Sequence, residues 1–180
     1  MNYVQNFLCK TEAKRLLDWS LDATCVAWQQ EQFTLFGRQV DAPRRLAWFG
    51  DANVNYRYTG IDHVASGWPQ LLKLLRERVE SIAGTRFNFV LCNRYDDGAQ
   101  YMGWHRDDEA QAGPVIASLS LGATRRFRYR QGPGSSSEFV ELAHGSVLVF
   151  DGRIQHMLTR TKRTVGARIN MTFRQIAACS

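Results

Sequence analysis

The stretch RINMTFR, from Arg168 to Arg174, alternates strictly between polar and apolar side chains. Such alternation predicts a β-strand, because successive side chains of a strand point to opposite faces. One face would carry Ile169, Met171 and Phe173. The other would carry Arg168, Asn170, Thr172 and Arg174. If that second face is interior, its two guanidinium groups require an anion, since a buried unpaired charge is very costly. A dicarboxylic acid would pair with both.

A second informative stretch is YMGWHRD, from Tyr101 to Asp107. His105 and Asp107 are two residues apart, so in an extended segment both side chains point the same way, whereas Asp108 faces the other way. The pair alone is weak evidence for a metal site, but His156 follows later in the chain and precedes the arginine strand. Two histidines and a carboxylate hold ferrous iron on one face and leave the opposite face open. These residues predict an iron- and 2-oxoglutarate-dependent oxygenase.

The composition is that of an ordinary globular protein of one domain, residues 1–180. Lysines and arginines number 23 against 17 aspartates and glutamates, a net charge of +6. The excess favours a polyanionic partner, although a basic protein without such a partner would show the same charge. Four cysteines without a CxxC pair indicate free thiols in a reducing compartment. They are Cys9, Cys25, Cys92 and Cys179.

No apolar run approaches the roughly 20 residues that span a bilayer. The N-terminal stretch MNYVQNFLCKTEAKR also lacks an apolar signal core. We therefore expect no membrane association, and a location in the cytoplasm, or in the nucleus of a eukaryotic cell. Nothing in the sequence suggests a partner copy, so we expect a monomer.

Helical patterns occur only in the first half of the chain. The segment from Thr11 to Leu21 has apolar residues at helical spacing, and Pro69 to Ala83 has a stronger apolar stripe, with Gly84 as a stop. From Phe87 the pattern changes to short runs that predict strands. These are Phe87–Leu91, Val115–Leu121, Arg126–Arg130, Phe139–Leu142, Ser146–Phe150 and Val165–Phe173. The order predicts an α+β chain with a double-stranded β-helix, or jelly-roll, core over residues 87–175, and helices with a nucleotide-recognition lid over residues 1–86.

Several motifs together resemble the AlkB family of nucleic-acid dealkylases, over about Gln32 to Arg174. They are Asn93-Arg94-Tyr95, His105 to Glu109, the stretch ASLSLG from Ala117 to Gly122, His144-Gly145-Ser146, His156 and the RxNxTFR strand. The resemblance is strongest to the branch that repairs double-stranded DNA. It implies removal of N-alkyl groups from bases such as 1-methyladenine and 3-methylcytosine, with release of formaldehyde.

The resemblance also implies how the cofactors are bound. Iron would be held by His105, Asp107 and His156. Asn93 and Tyr95 would hydrogen-bond 2-oxoglutarate, and Arg168 and Arg174 would hold its two carboxylates. Asn170 and Thr172 would assist from the same strand face. A packed aromatic that never meets the cofactor remains the alternative for Tyr95.

The substrate-binding residues implied by the resemblance lie in the first half of the chain. Tyr58 would stack on the extruded base, Tyr56 would hydrogen-bond it, and Glu109 would offset the positive charge of the methylated base. Phe36, in the stretch LFGR, would fill the gap left in the duplex, and Arg44 would contact DNA. Ordinary core packing is the alternative for Phe36 and for the two tyrosines.

One segment departs from the family pattern. The loop after the Arg126–Arg130 strand, GPGSSS, is short and contains no lysine or arginine, whereas the double-strand branch has a longer basic loop there. The neighbouring Arg125, Arg126, Arg128 and Arg130 offer positive charge, although two of them are expected only to line the outer face of the sheet. The same chemistry on single-stranded DNA or RNA therefore stays open. A catalytically silent nucleic-acid-binding module is disfavoured because every predicted ligand is present.

Overall fold

The computed structural model describes residues 1–35, 37–58 and 60–177, and the side chains of residues 33–35 are not described. Two helices are α1 (Lys10–Leu21) and α2 (Gln70–Ala83). The strands before α2 are β1 (Asn2–Val4), β2 (Gln29–Leu35), β3 (Arg38–Gly50), β4 (Asn55–Tyr58) and β5 (Ile61–Val64). Those after it are β6 (Phe89–Tyr95), β7 (Met102–His105), β8 (Val115–Gly122), β9 (Arg125–Arg130), β10 (Glu138–Leu142), β11 (Ser146–Asp151), β12 (Gln155–Leu158) and β13 (Arg168–Arg174).

Two antiparallel sheets form the core of the fold. The large sheet has seven strands in the order β1-β11-β8-β13-β6-β3-β2, and the small sheet has four in the order β10-β9-β12-β7. A separate hairpin pairs β4 with β5. The predicted jelly roll with helices packed on it is confirmed. The prediction was wrong in starting the strands at Phe87, because five strands precede that residue and three of them extend the large sheet.

The helices cover one face of the large sheet. Leu72, Leu75 and Val79 of α2 are buried in the same apolar cluster as Leu119 and Met171 of the sheet. Each such side chain contributes about 1.5–3 kcal/mol on burial. Helix α2 begins directly after Pro69 and ends at Gly84, whose φ of 67° lies in the left-handed region. Both boundaries agree with the sequence-based prediction.

The central strand β13 has the two predicted faces. Ile169, Met171 and Phe173 pack in the cluster beneath the helices. The opposite face lines a cavity between the two sheets with Arg168, Asn170, Thr172 and Arg174. The strand begins at Arg168 rather than at Val165, because its neighbours β8 and β6 both end at the level of Arg168, opposite Gly122 and Tyr95.

Candidate active site

The three predicted metal ligands meet at one end of the small sheet. His156 on β12 lies directly opposite His105, the last residue of β7. Asp107 follows two residues later and is held in place because its backbone N–H donates to the carbonyl of Gly152 at 2.9 Å. A side chain at Gly152 would lie 2.6 Å from the backbone oxygen of Asp107, so this approach requires glycine. The ligand atoms of all three residues lie within 4.8 Å of one another.

Backbone carbonyls orient both histidine rings. Nδ1 of His105 lies 2.8 Å from the Gly103 carbonyl, and Nδ1 of His156 lies 2.7 Å from the Ile154 carbonyl. Since a carbonyl can only accept, each Nδ1 carries the proton and each Nε2 keeps a lone pair. The two Nε2 atoms lie 3.7 and 3.5 Å from the oxygens of Asp107. This is the arrangement in which outer contacts fix the tautomer that a metal needs.

The electrostatics of the site keep this ligand set ready for a cation. Burial would raise the pKa of the Asp107 carboxyl, but the charge of Arg174, 2.7 Å away, and the contacts with His156 hold it well below its usual range. Burial and the neighbouring His156 lower the pKa of His105 to about 4. A carboxylate and a neutral imidazole are the protonation states that bind metal.

The two arginines of β13 are buried in different surroundings. Arg174 donates to Asp107, and that attraction more than offsets the effect of burial and raises the pKa of Arg174. Arg168 donates to the Ser120 hydroxyl at 2.9 Å and lies over the ring of Tyr95. Among the described residues it has no ion-pair partner. Burial lowers its pKa to about 10, despite the opposing effect of Tyr95. Arg168 is therefore a buried cation that an anion would stabilise.

The remaining predicted cofactor residues line the same cavity. Asn93 and Tyr95 of β6 face it from one side of β13. The side-chain amide of Asn170 donates to the Ser118 hydroxyl at 2.7 Å, and the Thr172 hydroxyl donates to Asn170 Oδ1 at 3.1 Å. The structure thus brings all six predicted cofactor residues and the three metal ligands to one cavity.

Unsatisfied polar atoms show what this cavity can bind. Nε of Arg168, Nε and Nη1 of Arg174 and Oδ1 of Asp107 are buried without hydrogen-bond partners in the described part of the chain. Buried donors of this kind are rare unless a ligand satisfies them. The donors fit carboxylate oxygens, whereas the carboxylate oxygen and the two imidazoles fit a divalent cation. The residues therefore fit Fe(II) and 2-oxoglutarate.

The two predicted substrate tyrosines lie on β4 with their rings stacked, 5.7 Å apart at the centroids and 27° from parallel. Tyr58 lines the cavity, whereas Tyr56 is fully buried and packs edge-on against Phe89. In the described part of the chain, the hydroxyl of Tyr56 and one oxygen of Glu109 are buried without a hydrogen bond. Burial raises the pKa of Tyr56, and the charge of Glu109 raises it further. The Tyr56 hydroxyl and the Glu109 carboxylate therefore lie close enough to influence each other inside the protein.

Arg44, which is predicted to contact DNA, lies inside the protein. Its side chain is buried, with Nε donating to Asn93 Oδ1 at 2.8 Å and Nη2 donating to the Tyr58 hydroxyl at 3.1 Å. Because β3 pairs with β6, Arg44 enters beside the cofactor asparagine rather than at the surface. It connects a predicted cofactor residue to a predicted base-stacking residue. Phe36 lies outside the described residues, so its predicted role stays a prediction.

Sequence reasoning missed several residues that shape the site. Phe127 and Phe150 flank the ring of His156, at centroid distances of 5.3 and 5.0 Å. Their inward parity on two predicted strands was the available signal. The buried His63 and the partly buried Glu31, with 2.7 Å between Nε2 and Oε1, connect the β4–β5 hairpin to β2. No spacing pattern connects those two residues, because the chain brings them together only through the fold.

A jelly roll with two histidines and one aspartate at its open end, beside a buried arginine pocket, defines a metal-dependent oxygenase. The sequence matches the 2OG-Fe(II) oxygenase superfamily over residues 1–174. The chain belongs to this superfamily. The matched range includes the three metal ligands and strand β13.

Similar proteins extend this result. The mouse protein named DNA oxidative demethylase ALKBH2 is 39% identical over 156 residues, covering 79% of this chain and 65% of its own length. The human alpha-ketoglutarate-dependent dioxygenase alkB homolog 3 is 34% identical over 177 residues, covering 88% of this chain and 61% of its own. The resemblance to the AlkB family is thus confirmed, although the chain spans less than two thirds of either relative.

A solved structure of a prolyl hydroxylase from Trichoplax adhaerens, in complex with a hypoxia inducible factor peptide, has a TM-score of 0.68. It covers 97% of this chain and 82% of its own, with 14% identity. That similarity supports the fold alone.

No helix among the described residues is long and apolar enough to cross a membrane.

Proposed function

We propose that the protein is an Fe(II)- and 2-oxoglutarate-dependent dealkylase acting on N-alkylated bases in DNA, such as 1-methyladenine and 3-methylcytosine. The observation that carries the proposal is the convergence on one cavity of the metal ligands, the unpaired guanidinium of Arg168 and the base-sized face of Tyr58. The similarity to proteins named DNA oxidative demethylase supports the substrate class.

The inner end of the cavity binds the cofactors. His105, Asp107 and His156 hold the iron, Arg168 takes the distal carboxylate of 2-oxoglutarate, and Arg174 orients the Asp107 carboxylate while its remaining donors face the cofactor. When bound, iron and 2-oxoglutarate use dioxygen to oxidise the N-methyl carbon, with succinate and carbon dioxide as co-products and loss of the hydroxymethyl group as formaldehyde. Phe127, Phe150 and Leu158 give this end an apolar wall that excludes water.

The outer end of the cavity binds the base. An alkyl group on a Watson–Crick nitrogen is inaccessible within a duplex, so the base must be extruded. Methylation there makes the base cationic, and the electron-rich face of Tyr58 is a favourable platform for it. Tyr56 would supply a hydrogen bond to the base and Glu109 a compensating negative charge, as the family resemblance implies.

The test is formaldehyde release from an oligodeoxynucleotide that carries one 1-methyladenine or one 3-methylcytosine. We expect release to require both Fe(II) and 2-oxoglutarate and to equal the amount of base restored. An unmethylated oligonucleotide of the same sequence is the control. Consumption of 2-oxoglutarate without base restoration on either lesion would overturn the proposal.

A second candidate is the same chemistry on single-stranded DNA or RNA. The loop of residues 132–137 favours it, because that loop contains no basic residue to hold a second strand. Supplying one methylated sequence as duplex DNA, single-stranded DNA and RNA separates these substrates.

We further propose that the protein acts as a monomer in the compartment that holds the DNA, which is the cytoplasm of a bacterium or the nucleus of a eukaryotic cell.

A further inference from the structure

The outer face of the small sheet carries a row of arginines on β9. Arg126, Arg128 and Arg130 alternate with the inward-facing Phe127 and Tyr129. We define these three residues as the arginine row. Same-face residues of a strand are spaced by about 7 Å, a distance similar to that between successive phosphates of an extended nucleic-acid strand. The other arginine of this segment, Arg125, is not part of the row.

Arg125 has a structural role instead. It is buried, and its guanidinium donates to the backbone carbonyls of Asp97, Gly98, Gln100 and Thr159 at 2.7–3.3 Å. The basic residues left to offset the short loop are therefore the three of the arginine row. The sequence alone offered all four arginines as positive charge near the short loop, and the structure removes Arg125 from that set.

Aromatic rings alternate with the arginine row. The Arg126 guanidinium lies 4.2 Å from the ring centroid of Phe139, a residue that is 53% exposed. The guanidinium groups of Arg130 and Arg128 lie 4.2 and 6.0 Å from the ring centroid of Trp104. Positive charge interleaved with flat rings is the surface that binds single-stranded nucleic acid, because phosphates pair with the charges and bases stack on the planes.

The charges of the arginine row are poorly compensated. Arg128 bonds the Ser137 hydroxyl and Arg130 bonds the Gln155 side chain, both neutral partners. In the described part of the chain, only Arg126 of the row has a carboxylate partner, Glu141 at 2.8 Å, and both side chains are about half exposed. Such exposed surface pairs contribute little to stability, so a phosphate can replace the partner. Two cations held near one tryptophan ring repel each other and favour an anion between them.

The arginine row begins beside the metal site. Arg130 pairs with Gln155, and Tyr129 pairs with the metal ligand His156. Trp104 directly precedes His105. The row therefore runs along β9 from the level of the metal ligands to the other end of the strand, on the face opposite to the cavity.

We infer that the arginine row, with Trp104 and Phe139, binds the backbone of an extended single strand of DNA that continues from the nucleotide in the cavity. This inference rests on the proposed function for the identity of the strand. It assigns a surface on which the substrate strand lies outside the cavity. A flat, open sheet face with alternating rings fits splayed bases better than the stacked bases of a duplex.

The test measures binding of a fluorescein-labelled, unmodified oligothymidylate to the full chain by anisotropy over a range of salt concentrations. The variant is Arg126→Gln/Arg128→Gln, which leaves the cavity and Arg130 intact. We expect its Kd to rise at least tenfold at low salt. We also expect the slope of log K against log salt to become shallower by about 1.4, from two phosphate contacts at about 0.7 each.

The matched control is Arg15→Gln/Lys73→Gln, which removes two exposed positive charges on the helices at the opposite side of the large sheet. It should leave the slope unchanged. Equal slopes in wild type and the arginine-row variant, or an equal change in the control, would overturn the inference. A larger loss with a duplex of the same length than with the single strand would also overturn it.

These outcomes are independent of the proposed function, because the probe carries no lesion and the measurement needs no turnover. Loss of binding in the arginine-row variant supports the inference even if no lesion is ever dealkylated. Formaldehyde release by wild type with unchanged binding in the variant overturns the inference and keeps the function. Thermal unfolding of both variants should match wild type, since exposed surface substitutions usually change stability little.

Discussion

The two ends of the active-site cavity are built in different ways. The cofactor end rests on β13, the middle strand of the seven-stranded sheet, whose residues pair with β6 on one side and β8 on the other. The substrate end rests on the isolated β4–β5 hairpin, which pairs with no other strand of the described chain. Pairing with a strand on each side fixes the backbone of β13 and therefore the direction of its side chains. The position of a two-stranded hairpin depends instead on side-chain contacts with its surroundings.

The contacts of the hairpin show how that dependence is met. His63 is fully buried, packs edge-on against Trp48 at 4.5 Å, and pairs with Glu31 of β2. Tyr58 receives a hydrogen bond from Arg44 of β3. The substrate end is therefore attached to the body by side-chain packing and polar contacts rather than by strand pairing, while the cofactor end is part of the sheet itself. In the proposed function, the residues that hold the cofactors lie on the sheets, and the residues that bind the base lie on the attached hairpin.

The largest effect should come from removing a metal ligand. His156→Ala and Asp107→Ala should each abolish turnover, because three ligands are needed to hold iron. The two should differ in stability. Asp107→Ala leaves Arg174 buried without its partner and should lower the free energy of unfolding by about 3–5 kcal/mol.

Formaldehyde assays and chemical denaturation of the metal-free variants measure the two effects. Asp107→Asn is the control for stability, since its amide oxygen can still accept from Arg174. Near-normal turnover of either alanine variant with saturating Fe(II) would remove that residue from the ligand set. The same prediction of lost turnover applies to His105→Ala.

The arginines of β13 should give the next largest effect. Arg168→Lys and Arg174→Lys should each raise the apparent requirement for 2-oxoglutarate at least tenfold, or about 1.4 kcal/mol. A point charge cannot replace the two-pronged geometry of a guanidinium. Kinetics at varied 2-oxoglutarate concentrations test this, and an unchanged requirement in both variants would place the carboxylate contacts elsewhere.

Removing Arg44, which connects the cofactor end of the cavity to the substrate end, should have a smaller effect on the binding of both ligands. Arg44→Ala leaves Asn93 Oδ1 and the Tyr58 hydroxyl without this donor, and loss of such buried bonds costs about 1–3 kcal/mol. We expect the KM for 2-oxoglutarate and the KM for the methylated oligonucleotide to rise together, by several-fold. A rise in the oligonucleotide KM alone would instead indicate that Arg44 contacts DNA, as the family resemblance implies.

Much of the cofactor end could be predicted from strand alternation, whereas Asn93 and Tyr95 were implied by the family resemblance. RINMTFR fixes which side chains share a face, and the HxD spacing fixes two ligands on one side of a strand. The end of β6 was missed, since Asn93 and Arg94 interrupt the apolar run after Leu91 although the strand continues to Tyr95. Asn93 interrupts the apolar run because its polar side chain faces the cavity, where it is predicted to contact the cofactor.

The substrate end could be predicted only in part. The family resemblance assigned Tyr56 and Tyr58 to the substrate site. The burial of Arg44 depends on β3 running for 13 residues through Pro43 and pairing with β6 from Arg45 onward. A proline in the sequence argues against a long strand, so the pattern gave no reason to place Arg44 in the interior. Contacts between β2 and β5, such as Glu31 with His63, follow from the assembled fold and leave no local signal.

The smallest effect expected on the single-stranded substrate comes from Phe36, the predicted wedge. Opening a duplex costs a few kcal/mol of unpairing and unstacking, a cost that a single strand has largely met already. If Phe36 fills the gap left by the extruded base, Phe36→Ala should reduce dealkylation of a methylated duplex much more than that of the matching single strand, with an unchanged melting temperature. Phe36→Leu keeps an apolar wedge and should retain most of the duplex activity. Equal losses on both substrates, together with a loss of roughly 3–5 kcal/mol in stability, would show instead that Phe36 is a core residue.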